Sequence, residues 1–414
     1  MHLAEYLALR PVPAAGVVLA LTGRCPLHCA HCSTDSTAAG TDVAGGVLVR
    51  FAETFGAGFR GAGPPAPGSA AGSGSAPAPA PTSGSGSGSA AGRGPDSADG
   101  ALAGAPAVAL LTGGEPLLRP RLVRQLAERC RAVGTASFLL TGLFYARATA
   151  RGASRDSVPA PIAAALAAVD HVSASLDAFH EREVPRGAVF AELHRLLAAG
   201  KDVSLHVLGA GPSDPYPDRT AAAVRAEFGT RVPILVGRLA PVGRGRSLGE
   251  ALTDPAAGAD GPGGGGTLPC AMAAWPVVGM DGTITACCNQ HVLDRRPVPP
   301  HLLLGHADRD GWPAVRARTV NSPALRAIRT LGPDALTSAG TGGGGCAGCR
   351  ALRPAVDGGD PVSGELAATV AALEAPVAQL QSAAGATGFT RRYGDPRHAD
   401  LVLLGHRPGS RGSP

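Results

Sequence analysis

Aromatic side chains are scarce in this chain: Phe, Trp and Tyr supply only 4% of its 414 residues. Glycine (59) and proline (37) are abundant instead, so part of a length that suggests two or three domains is not packed core. No run of 18 apolar residues occurs, which excludes an ordinary membrane-spanning helix. An excess of one charge is missing too. The net charge of +5 is spread without a basic run, so nucleic-acid binding is not implied. The opening MHLAEYLALRPVPAAG has no charged segment followed by a long apolar one, so no export signal is read there and a cytoplasmic location is expected. Disulfides are not expected either. The nine cysteines are an odd number, clustered as C-x3-C-x2-C and C-x2-C, which fits metal ligation in a reducing compartment.

The first cluster, Cys25, Cys29 and Cys32, lies in CPLHCAHC directly after the apolar run GVVLALTG. This spacing brings three thiols to one locus without help from the rest of the fold. Three soft ligands hold a four-iron cluster with one iron left open. Together with His28 or His31 they also suit a Cys3His zinc site, and free cysteines are often small buried apolar residues. Further on, the apolar run APAVALL ends in Thr112, Gly113, Gly114, Glu115 and Pro116. That pattern reads as a buried strand opening into a tight turn. The glycines let a small ligand approach the backbone, and Glu115 can accept from a ligand ammonium. An ordinary strand-to-helix loop with an acidic first turn explains GGEP equally well.

The two motifs together, in this order and each after a strand, resemble the radical SAM superfamily. The resemblance implies a [4Fe–4S] cluster on Cys25, Cys29 and Cys32 whose open iron chelates S-adenosylmethionine (SAM). It implies that Gly113, Gly114 and Glu115 contact the SAM amino group. Alternating apolar runs and helical periods give strands over 16–21, 106–111, 135–140, 171–176, 203–208 and 232–238. Helices are expected over 46–56, 120–133, 160–169, 188–199 and 218–228. Six such units make an α/β fold, an open (β/α)6 partial TIM-like barrel with right-handed crossovers, and the family has the same fold. Its chemistry belongs at the carboxyl ends of the strands. Cys130 instead shares a helical face with Leu122, Leu126 and Val133 and is expected in the core.

At the end of the fourth strand, VSASLDAFHE contains Ser175, Asp177 and His180. Alternation puts Ser175 and Asp177 on one face, where a carboxylate can bind vicinal hydroxyls. An Asp capping the next turn is the simpler alternative. The string is similar to the family segment that meets the SAM ribose or carboxylate, which implies that role for Ser175 and Asp177. LAPVGRGRS is similar to the segment bordering the adenine, which makes Gly243 and Arg244 weaker candidates beside a merely solvated arginine pair. His31 stands where the family usually has an aromatic residue against the adenine. Thr141-Gly142 lacks the Asn often found after the third strand.

A second cysteine group follows a glycine-rich break at 258–267. CAMAAWPVVGMDGTITACCNQ contains a hairpin signal at Asp281-Gly282, which returns Cys287 towards Cys270. With Cys346 and Cys349 it supplies four thiols, enough to close a zinc site or hold an auxiliary cluster. Its C-x11-G-x4-C opening is similar to the SPASM/twitch extension of radical SAM enzymes. No cysteine follows Cys349, so the shorter, twitch-like form with one auxiliary [4Fe–4S] cluster is the better match. Cys287 fits the spacing better than Cys288.

The expected organisation is a barrel over 1–60 and 105–250, a Gly/Ala/Pro/Ser insert at 61–104 and an iron–sulfur region at 265–352. A C-terminal helix around 365–384 and a tail lie within 353–414, over the barrel mouth or a partner surface. The resemblance implies a peptide substrate or, alternatively, a small molecule oxidised or epimerised, and an electron donor such as flavodoxin or ferredoxin. No space for a fused peptide-recognition domain is read ahead of the first strand, so leader recognition would fall to a separate protein. A non-catalytic metal-binding module is the reading from another class.

Overall fold

The computed structural model describes residues 1–57, 104–147, 158–248, 268–336, 345–353 and 360–407. Most of the expected insert, the break at 258–267 and much of the stretch before Cys346 lie outside the described residues. Nine strands form one open sheet: β1 (Gly16–Ala20), β2 (Val108–Thr112), β3 (Ala136–Thr141), β4 (His171–Ser175), β5 (Asp202–Gly209), β6 (Ile234–Arg238), β7 (Val277–Val278), β8 (Thr283–Thr285) and β9 (Leu303–His306). Their order is β6-β5-β4-β3-β2-β1-β7-β8-β9. β1 to β6 are parallel neighbours in sequence order, with Gly16 beside Val108 and Val108 beside Ala136. Helices Gly45–Glu53, Pro120–Ala132, Ala160–Ala168, Arg186–Ala198 and Tyr216–Phe228 stand between the strands. This is the expected mixed α/β, partial-barrel architecture. Both faces of such a sheet are covered, and all five residues of β1 are accordingly buried.

Prolines explain two boundary shifts. β2 begins at Val108 rather than 106, and β6 at Ile234 rather than 232. Pro106 and Pro233 have no N–H to give a ladder, although the Pro233 carbonyl still accepts from Leu205 at 2.9 Å. Cys130 is fully buried in the main core, as its helical face requires.

The hairpin β7–β8 pairs as its turn chemistry suggests, with Gly282 at φ +86°. The C-terminal region is no separate layer, because β7 joins β1 in parallel and carries β8 and β9 into the same sheet. At the amino ends of the strands a second apolar cluster gathers Leu3, Tyr6, Leu7, Phe138 and Trp275. Tyr6 stacks on Phe138 with centroids 4.4 Å apart, and Gly16 leaves room for the Trp275 ring, which a Cβ there would meet at 2.4 Å. That end is plugged. The cysteine turn and the GGEP turn leave β1 and β2 at the opposite, carboxyl ends.

Beyond helix Pro323–Thr330, the tail forms helices Gly364–Ala383 and Gly385–Tyr393 and a 3-10 helical stretch over Pro396–Leu403. The first is tied down by Glu374, which pairs with Arg326 at 3.2 Å and with buried Arg329 at 2.5 Å. The rest covers an edge rather than the barrel mouth. Asp395 N–H donates to Val236 O at 2.8 Å, and Arg238 Nε to Gly394 O at 2.8 Å. Groups that β6 would otherwise present as an open sheet edge are thereby satisfied.

Candidate functional site

The cysteine turn leaves the carboxyl end of β1 and is pinned on three sides. Below it, Thr22 Oγ1 and the Arg24 guanidinium both bond Asp42, Arg24 Nη2 at 2.6 Å. Arg119 reaches in from the start of its helix to donate to Leu21 O at 2.6 Å and Val43 O at 2.7 Å. Cys25 N–H donates to Thr37 O at 2.8 Å, which closes the loop on itself. Cys25 is buried; Cys29 and Cys32 are half-buried. Two sulfurs already take part in weak hydrogen bonds: Leu27 N–H donates to Cys25 Sγ at 3.4 Å, and Thr34 Oγ1 lies 3.4 Å from Cys32 Sγ. Burial pushes the Cys25 thiol up to about 11 and Cys29 to about 12, the latter also through the nearby Asp177 carboxylate. Ligation there displaces protons.

The GGEP turn lies directly against this loop. Gly114 N–H donates to Thr22 O at 2.7 Å and Glu115 N–H to Arg24 O at 2.8 Å, so the turn prolongs the β1–β2 ladder. Gly113 adopts φ +125°, and a Cβ on it would stand 2.5 Å from Thr22 O. A Cβ on Gly114 would stand 2.4 Å from Arg24 O. The glycines thus admit the chain's own cysteine loop, a close approach the sequence attributes to a ligand. Glu115 is completely buried. It accepts from Leu117 N–H at 3.0 Å, Thr141 Oγ1 at 2.8 Å and Gly142 N–H at 2.9 Å. A carboxylate offers about four acceptor positions, so one is left over. Burial raises its pKa to about 7 against those three bonds.

β4 ends at Ser175, which is half-buried, and Asp177 falls in the following turn. Asp177 Oδ1 caps that turn, accepting from Phe179 and His180 N–H at 2.9 Å each. The other oxygen, Oδ2, stands 3.4 Å from His31 Nε2. Burial pushes His31 down to about 4, helped by Arg244, and pushes Asp177 up, so the contact joins two groups biased towards their neutral forms. His31 also leans on Phe179 with centroids 5.1 Å apart. His180 Nε2 bonds Gly142 O at 2.8 Å, which ties this turn to the Glu115 network. Nδ1 of His31 and Nδ1 of His180 are buried without a partner. His206, which the sequence reading did not single out, interacts with Asp177 from the neighbouring β5. The available signal was the polar alternation Ser204, His206 in an otherwise apolar strand.

Gly243 and Arg244 sit on the cysteine turn. Arg244 is no solvated pair: Nε donates to Cys29 O at 3.2 Å and Nη1 to Ser36 O at 2.6 Å. A cavity of about 480 Å³, open to solvent, is lined there by Ala30, Gly243, Arg244, Arg246 and Ser247.

The second group is assembled from three segments. Cys270 N–H donates to Ile328 O at 2.9 Å, Cys287 follows β8, and Cys346 and Cys349 lie on helix Cys346–Ala351. They are electrostatic neighbours. Burial, then Cys288 and Cys270, pushes Cys287 well above its ordinary value, and burial, then Cys270 and Cys346, pushes Cys349 up to about 12. Cys270, Cys287 and Cys349 also pack against the main core. Tyr393 from the tail accepts from Ala271 N–H at 2.7 Å, a neighbour the sequence did not reveal. Among the described residues, no three His, Cys, Asp or Glu side chains close around a single metal ion. A four-iron cluster spreads its thiolates over several metal atoms and asks for a wider set. Both cysteine groups offer soft thiol donors, three on one turn and four contributed by three segments.

Among the described residues no helix is long and apolar enough to cross a membrane. No family model and no curated protein matches the chain. Among solved structures it is similar, at 11% identity, to SuiB of Streptococcus suis bound to S-adenosylmethionine, over 69% of this chain and 62% of that one, with a TM-score of 0.40. It is likewise similar to SuiB bound to precursor peptide SuiA, at 11% identity over 79% and 70% with a TM-score of 0.44. The chain spans 62% of the first of these structures.

Proposed function

We propose that this chain is a radical SAM enzyme that abstracts hydrogen from a peptide. The observation that carries this is the union of the three-thiol turn with the Gly113-Gly114-Glu115 turn, bonded through Gly114 N–H to Thr22 O and Glu115 N–H to Arg24 O at the carboxyl ends of adjacent strands. Cys25, Cys29 and Cys32 would hold a [4Fe–4S] cluster. When bound, that cluster supplies one electron to the sulfonium of SAM, giving methionine and a 5′-deoxyadenosyl radical that takes hydrogen from a C–H bond.

The chain's own part is placement and exclusion of water. Gly113, Gly114 and Glu115 are assigned to the SAM amino group, Ser175 and Asp177 to its ribose or carboxylate, and His31 to the adenine. As a carboxylate, Glu115 has one acceptor position beyond its three bonds, and Asp177 Oδ2, not used in capping the turn, stands 3.4 Å from His31 Nε2. His31, held neutral, presents an uncharged imidazole face. Cys270, Cys287, Cys346 and Cys349 are assigned to a second [4Fe–4S] cluster of the twitch type. A flavodoxin or ferredoxin is assigned as electron donor.

Anaerobic reconstitution tests the reading: roughly eight irons per chain and a broad visible band are expected for two four-iron clusters. Reduction with SAM should then release 5′-deoxyadenosine. A colourless protein that binds only zinc would overturn it. The peptide reading is checked separately. A short peptide encoded beside this gene should change mass on incubation with the reduced, SAM-loaded protein, and turnover of a small molecule alone would replace it.

A further inference from the structure

We propose that Arg244, seated by Gly243, is a positioning residue that clamps the cysteine turn to the loop after β6 and so fixes the ligands of the first cluster. The inference rests on the assignment of Cys25, Cys29 and Cys32 as ligands. In the open sheet β6 and β1 are separated by four strands and share no ladder. Across that seam Arg244 makes four hydrogen bonds to a short stretch of the cysteine loop. Its backbone N–H donates to Cys32 O at 3.0 Å. The guanidinium donates from Nε to Cys29 O at 3.2 Å, and from Nη1 to Ser36 O at 2.6 Å and Asp35 Oδ1 at 3.2 Å.

Two of those acceptors are carbonyls of the ligating cysteines themselves. The approach needs Gly243: its φ is +56°, and a Cβ would meet both Cys32 O and Ser33 O at 2.4 Å. The guanidinium makes two bonds to main-chain carbonyls and one to the Asp35 carboxylate, and so holds the loop from the side of β6. A planar fork reaches several carbonyls at once, which the single ammonium of lysine cannot reproduce. The three thiols share one turn, so movement of that turn displaces all of them together.

The test uses the full chain, with Arg244→Ala and Arg244→Lys reconstituted beside wild type. Iron is counted after desalting, and the reduced first cluster is followed by electron paramagnetic resonance with and without SAM. Arg244→Ala should retain the auxiliary iron and lose at least about three-fold of the first-cluster signal, with Arg244→Lys in between. Wild-type loading and an unchanged signal in Arg244→Ala would overturn the clamp. Should Arg244→Ala lose both clusters, Arg244→Lys decides: with auxiliary iron kept, a weakened first cluster supports the proposal and a full one sinks it. Hydrogen exchange on the metal-free protein separates this from the radical SAM reading. In Arg244→Ala, amides of 25–36 should exchange about ten-fold faster, and no change there would overturn the clamp. If wild type carries no four-iron cluster at Cys29, the functional reading fails while the exchange result still decides the clamp.

Discussion

The two cysteine groups differ in how they are built. Cys25, Cys29 and Cys32 sit on one turn, held by neighbours close in sequence, by the Gly114-Glu115 turn and by two distant arginines, Arg119 and Arg244. Cys270, Cys287, Cys346 and Cys349 come together only after a hairpin has paired, helix Pro323–Thr330 has docked, and the tail has covered Cys270. A site made by one turn loses its metal when the turn is altered; a site made by tertiary packing depends on the fold around it. The sharpest break between them is Cys29→Ala against Cys346→Ala. Cys29→Ala should reduce 5′-deoxyadenosine formation to the uncatalysed background while the auxiliary iron stays. Cys346→Ala should halve the iron and leave SAM cleavage in place. If either substitution empties both groups, they are one site, and the division is wrong.

The next largest effect separates the groups by proton chemistry. Glu115 beside the first group is buried and titrates near 7, above the ordinary carboxylate. The folded state therefore holds a proton that the unfolded chain has released. Stability from this group is complete below about pH 4.5 and is lost as pH rises through about 7. A displacement of this size corresponds to about 3 kcal/mol. Urea unfolding of the metal-free protein at pH 5 and pH 8 should show a difference that Glu115→Gln reduces by about that amount. An unaltered difference would mean that Glu115 is ionised in the fold throughout.

Much of the first group was legible because its determinants are local. The C-x3-C-x2-C spacing, the run before it and the glycine pair place it at two strand ends. What was not legible is why the glycines are glycines. Their partner is the carbonyl of Thr22 or Arg24, about ninety residues earlier in the chain. Asp177 looked like a ligand-facing strand residue, since alternation continues on paper; the strand ends at Ser175 and the carboxylate caps a turn. The fold class was readable from six apolar runs with helical periods between them. The junction of β7 with β1 was not, because a two-residue strand carries no periodicity. Gly114→Ala tests the long-range part: its methyl meets Arg24 O at 2.4 Å, a backbone atom that cannot swing aside. The expected cost is about 1–3 kcal/mol, with first-cluster iron lowered and auxiliary iron unchanged. Loss from both groups equally would make the effect one of global folding.

An effect of similar size on the other group reverses that selectivity. Tyr393 Oη accepts from Ala271 N–H at 2.7 Å and donates to Pro269 O at 3.4 Å, which brackets Cys270 from the tail. Tyr393→Phe keeps the ring and its tilted contact with Phe389, and removes only these bonds. Ala271 is buried, so its N–H is left with no oxygen to meet. Orphaning a buried donor costs about 1–3 kcal/mol. The loss should fall on the auxiliary group alone: slower uptake or faster release of its iron, with the first-cluster signal and 5′-deoxyadenosine yield at wild-type levels. A Tyr393→Phe protein that keeps its auxiliary iron as wild type does, with an unshifted unfolding midpoint, would show that the tail covers Cys270 without holding it. The second group would then depend on the hairpin and the helix Cys346–Ala351 only.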